Sequence, residues 1–79
     1  MDRLTSMSTF VQVVIKRSFS GAARQLQLSQ GAVTGHVKSL EQQLGLRLLN
    51  RTTRKVSLTE EGTQFYQRCI RIQIGRAHV

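Results

Sequence analysis

The sequence predicts a mainly α-helical fold, and three observations predict it. Apolar residues recur at helical spacing in three stretches, Leu4 to Val14, Val33 to Leu44 and Phe65 to Ile72. Between the first two, the segment from Ser18 to Leu44, SFSGAARQLQLSQGAVTGHVKSLEQQL, reads as two short helices joined by a tight turn. After Gly45 the pattern changes to alternation: Val56 and Leu58 suggest a strand, and Leu46 and Leu48 suggest its partner. Together these describe a winged helix-turn-helix, with three helices, a two-stranded wing and a C-terminal helix.

Each element has its own signals. The first helix is expected over Asp2 to Lys16, with Leu4, Met7, Phe10, Val11 and Val14 on one apolar face. Asp2 at its start and Lys16 and Arg17 at its end complement the helix dipole. Ser20 is the expected N-cap of a short second helix, Gly21 to Leu26, in which Ala22 and Ala23 allow close approach of a neighbour. Gln27, Leu28 and Ser29 make the turn, and Leu28, its one apolar residue, is expected to tuck into the core. Ser29 caps the third helix, Gln30 to Leu44, whose buried face is Val33, Val37, Leu40 and Leu44. Gly45 ends it in the left-handed conformation that glycine adopts at no steric cost. Thr59 caps the last helix, with Glu60 and Glu61 in its first turn.

Size and composition narrow the possibilities. Seventy-nine residues make one domain. Cys69 is the only cysteine, so no disulfide forms within the chain, and no paired Cys/His spacing suggests zinc. The net charge is +8, from 12 Lys and Arg against 4 Asp and Glu, and from Lys16 to Leu58 the only acid is Glu41. A surface this basic suits a polyanion bound by counterion release. The longest apolar run, Val13 to Ile15, is far too short to span a membrane, and the N-terminus lacks the pattern of a signal peptide, so a cytoplasmic location is expected. The histidines, the cysteine and the few acids form no nucleophile–base pair at a recognisable spacing, which argues against an enzyme. No cofactor is implied.

These residues resemble a known family. FS-x-AA-x-x-L, LSQ-x-AV-x-x-HV-x-x-LE-x-x-LG, LL-x-R and LTEEG occur in order from about Leu4 to Arg71, and the set is similar to the N-terminal DNA-binding domain of LysR-type transcriptional regulators. The resemblance implies a winged helix-turn-helix that pairs through its last helix, and an effector domain elsewhere that binds the small-molecule inducer. Two departures stand out. Gly31 occupies a place where the family often has proline, and Gly35 one where it commonly has Arg or Lys. On this reading residues 1–58 form the DNA-binding domain and 59–73 begin the linker or dimerisation helix. Residues 74–79 are expected to be a non-native tail, because their back-translation resembles a sequencing adapter.

Recognition helices meet base edges mainly from their N-terminal turns. That points to Gln30, which can pair bidentately with adenine, to Thr34, and to His36. Ser29 and Lys38 are placed for phosphates, and Arg24 on the preceding helix is a weaker candidate. In the wing, Arg51 and Arg54 suit the narrow minor groove, where negative potential is enhanced, with Thr53 and Lys55 as phosphate contacts. Phe65, Tyr66, Cys69 and Ile72 are the expected dimer face. The expected partners are double-stranded DNA and a second copy of the chain, with neither a membrane nor an inducer bound by this segment. Non-specific binding of nucleic acid through the basic face is the alternative, although few aromatic residues are available to stack on bases.

Overall fold

The structure, a computed structural model, describes residues 3–51 and 56–77. The order is α1 (Arg3–Lys16), α2 (Phe19–Leu26), α3 (Gln30–Leu44), β1 (Leu49–Arg51), β2 (Val56–Leu58) and α4 (Glu60–Ala77). This is the predicted winged helix-turn-helix, and α4 carries its helical backbone into the segment read above as a tail.

Helix α1 is the centre of the domain, because α2, α3 and α4 all pack on it. Its buried arc is therefore wider than one stripe. Met7, Phe10 and Val11 are buried as expected, but Val13 and the polar Ser6 and Thr9 are buried with them. Leu4, expected in the core, is 44% exposed at the first turn. The helix stops at Arg17, which takes a left-handed conformation (φ 54°).

The cap of α2 is Ser18 rather than Ser20. Ser18 is extended (φ −164°, ψ 134°), and its hydroxyl accepts the Gly21 N–H at 3.0 Å. A cap must lie outside the helix it serves, and Ser20 is already inside, its hydroxyl 2.9 Å from that of Ser18. Leu28 also departs from expectation, being 39% exposed. The turn is closed by backbone instead: Gln27 is left-handed (φ 58°), and the Leu28 N–H reaches the Ala23 carbonyl at 2.9 Å.

Helix α3 has its predicted limits. The Ser29 hydroxyl accepts the Ala32 N–H at 3.1 Å, and Gly45 closes the helix at φ 67°. Val33, Val37 and Leu40 are fully buried, and Leu44 is half-buried. The wing starts later than the alternation suggests. The Leu46 N–H bonds back to the Glu41 carbonyl at 3.2 Å, so Leu46 belongs to the helix stop and is 43% exposed. Leu48 is buried just ahead of the strand, and β1 pairs antiparallel with β2 as Leu49↔Leu58, Asn50↔Ser57 and Arg51↔Val56.

Thr59 ties the root of the wing to α4. Its hydroxyl accepts the Gly62 N–H at 2.9 Å and donates to the Arg47 carbonyl, while its own N–H donates to the Leu48 carbonyl at 3.0 Å. Gly62 lies directly against that carbonyl, and a Cβ there would stand 1.9 Å from the Leu48 oxygen. Further along α4, Phe65 and Tyr66 set their rings 5.8 and 6.3 Å from that of Phe10, and Cys69 is fully buried.

Candidate nucleic-acid interface

Helix α3 buries one face against α1 and α2 and turns the other outward. Gln30, Thr34 and Lys38 follow each other at a spacing of four, so they form one stripe. Gln30 and Lys38 are exposed and Thr34 is half-buried. The Thr34 hydroxyl donates to the Gln30 carbonyl at 3.0 Å, which holds its methyl group in a fixed orientation. Ser29 sits at the head of the stripe, beside the positive end of the helix dipole. Gly31 and Gly35 are exposed, and a Cβ at either would meet nothing within 4 Å. The backbone of the first two turns of α3 is thus open to close approach by a groove wall or a base edge.

The structure does not bring His36 onto this stripe. Two residues beyond Thr34, it is turned about 200° round the helix axis. Its Nδ1 lies 2.9 Å from the Thr9 hydroxyl on α1, and Thr9 is only 2% exposed. His36 therefore joins α3 to α1 and stands apart from the base-reading candidates.

The surroundings of the stripe are basic. Arg24, Lys38 and Arg47 are exposed. Glu41, the one acid of this stretch, is held inward, with Oε2 accepting the N–H groups of Leu48 at 2.8 Å and Leu49 at 3.3 Å. The Arg51 backbone pairs with Val56 at the end of the ladder nearest the turn of the wing. The Arg51 side chain and the whole of Thr53, Arg54 and Lys55 lie outside the described residues.

The described residues of the expected dimer face lie against the chain's own core. Phe65 and Tyr66 are half-buried against Phe10 of the same chain, and Cys69 is sealed in the domain's own core. Burial pushes the Cys69 thiol up to about 11. The Ile72 side chain lies outside the described residues. Among the described side chains of α4, Glu60, Glu61, Thr63, Gln64, Gln67, Arg68 and Arg71 are exposed.

Three residues that matter to this architecture escaped sequence reasoning. A lone acid in a basic stretch marks Glu41, and a glycine inside a helix marks Gly62, but Thr9 gives no local signal, because its partner is 27 residues away. Among the described residues no group of three or more His, Cys, Asp or Glu could hold a metal ion, and no helix is long and apolar enough to cross a membrane.

A helix-turn-helix with an open recognition helix, a basic flank and a two-stranded wing defines a winged-helix DNA-binding domain. Comparison with known proteins narrows the class. Residues 4–63 match the family described as "Bacterial regulatory helix-turn-helix protein, lysR family". The chain is 56% identical over 66 residues to the HTH-type transcriptional regulator CrgA of Neisseria meningitidis, covering 84% of this chain and 22% of that protein. It is 49% identical over 72 residues to the HTH-type transcriptional activator AaeR of Escherichia coli, covering 91% and 23%. Among solved structures, the BenM DNA-binding domain in complex with catB site 1 DNA superposes with a TM-score of 0.91 at 36% identity, over 99% of this chain and 86% of that one. The chain belongs to the LysR family and forms its DNA-binding domain. It spans about a fifth of the length of the relatives it matches.

Proposed function

We propose that this chain reads duplex DNA as one half of a homodimeric transcription regulator in the bacterial cytoplasm. The observation that carries the reading is the outward stripe Gln30, Thr34 and Lys38 on a helix whose opposite face buries Val33, Val37 and Leu40. In this reading Gln30 and Thr34 meet base edges in the major groove, and Ser29 and Lys38 hold the flanking phosphates. Arg51 and Arg54 enter the adjacent minor groove, and Thr53 holds a wing phosphate. The likeness to a domain whose structure was determined on DNA supports this arrangement.

The dimer follows from the logic of paired half-sites, in which a two-fold protein matches a palindromic operator. Since Phe65, Tyr66 and Cys69 serve the domain's own core, the pairing surface we assign is the outward side of α4 together with Ile72. The inducer site belongs to the effector domain of the longer relatives rather than to this segment.

Selection of bound duplexes from a random pool tests the reading. An enriched inverted repeat is expected, and Gln30→Ala should relax one position of it at a cost of about 1–3 kcal/mol. Binding that enriches no motif and collapses as salt is raised would replace this reading with non-specific phosphate binding.

A further inference from the structure

The recognition helix and the wing are the two parts of this domain that must reach DNA together, yet they hardly pack on each other. Helix α3 rests on α1 and α2, whereas β2 of the wing rests on α1 and α4. The chain that joins them, Gly45 to Arg47, is exposed. A groove of about 360 Å³ opens between the last turns of α3 and this connector, lined by Lys38, Glu41, Gln42, Gly45, Leu46 and Arg47. Among the described residues, the Glu41 side chain crosses from α3 to the wing. Oε2 of Glu41, on α3, accepts both the Leu48 and the Leu49 N–H at the foot of β1. Both leucines are buried, so these N–H groups have no access to bulk water as an alternative partner.

Glu41 is also the residue that a polyanion would least favour. It is the only acid from Lys16 to Leu58, and a carboxylate near a phosphate backbone weakens binding by repulsion. We infer that Glu41 is a positioning residue for DNA recognition, setting the distance and angle between α3 and the wing through its bonds to Leu48 and Leu49. This rests on the DNA-reading proposal above. Charge alone and positioning then predict opposite outcomes when the carboxylate is removed. Loss of charge tightens binding to any duplex, while loss of position weakens binding to the cognate duplex alone.

The test measures affinity for the selected duplex and for a scrambled one at fixed salt, for the parent, Glu41→Met, Arg54→Ala and the double variant. Methionine keeps the length of the side chain but removes the acceptor oxygen, which glutamine would retain. Thermal unfolding checks that each is folded. The expected result is a fall of about tenfold in the ratio of cognate to scrambled affinity for Glu41→Met, with scrambled binding unchanged or tighter. The double variant should lose no more than Arg54→Ala alone, because Glu41 acts through the wing. Should Glu41→Met fail to fold, the cycle is run with Glu41→Asp, which keeps the charge but shortens the reach by one methylene. Equal loss on both duplexes, additive losses in the double variant, or an Arg54→Ala variant that binds like the parent would each overturn the inference. A parent chain that selects no motif would instead overturn the DNA-reading proposal itself.

Discussion

The first turns of α3 and the root of the wing are built on opposite terms. Around Gly31 and Gly35 there is open space, with nothing within 4 Å of a Cβ at either. Around Gly62 the same added atom would collide with the Leu48 carbonyl at 1.9 Å. The first region is held by its buried underside and leaves its outer surface uncommitted. The second is fixed from several sides at once, by Glu41 on the Leu48 and Leu49 amides and by Thr59 on the Arg47 and Leu48 carbonyls. A DNA reader must vary its outer surface to suit an operator without moving its frame, and the two regions divide that work.

The sharpest way to break this contrast is Gly62→Ala. The clash is with backbone, so α4 must shift, at a cost of about 3 kcal/mol. In a domain of this size that lowers the Tm by roughly 15 °C, measurable by circular dichroism. A variant that melts within a few degrees of the parent would show that the root is softer than its geometry. Next come the caps. Thr59→Ala loses both an N-cap and the bond to Arg47, for about 2 kcal/mol, whereas Ser29→Ala loses a cap alone, for about 1 kcal/mol. Equal losses in chemical denaturation would remove the distinction between the two regions.

Gly35→Ala should work in the opposite direction. With space free around the new methyl group, helix propensity alone raises stability by about 0.8 kcal/mol. The same change at Gly62 differs in sign, and that difference is the comparison in its simplest form. The smallest effect concerns Cys69. Its thiol titrates at about 11 in the fold against 9.0 for a model thiol. The raised value means that the neutral form is favoured in the native state, so its contribution to stability is intact below pH 9 and is lost as pH rises toward 11. Native protein at pH 8 should react slowly with a thiol reagent and rapidly once unfolded. Fast native labelling would contradict the burial.

The parts that were legible in the sequence are those decided locally. Ser29, the periodicity of Val33, Val37 and Leu40, and Gly45 delimit α3 because a cap, a stripe and a left-handed stop each act within a turn. Ser18 and Ser20 both precede an apolar helix, and which one caps depends on a backbone angle that composition does not contain. Leu28 and Leu46 are apolar, but each lies where backbone hydrogen bonds already close a turn, so burial was not required of them. In the interface, the stripe of Gln30, Thr34 and Lys38 follows from spacing alone. The sequence puts His36 at the flank of that face, two residues beyond Thr34. Its true partner on α1 is a tertiary contact, and no periodicity announces one.

That contact has a consequence for the chemistry of the ring. Thr9 has a single hydroxyl hydrogen, which it donates to the Thr5 carbonyl at 2.9 Å. The bond to His36 must then run the other way, from Nδ1–H to the hydroxyl oxygen. A neutral imidazole here carries its hydrogen on the inner nitrogen and keeps its lone pair on the outer one. The Thr9 hydroxyl is thus used twice, accepting from α3 and donating within α1, and the joint between the two helices sets the tautomer of the ring as well as its place.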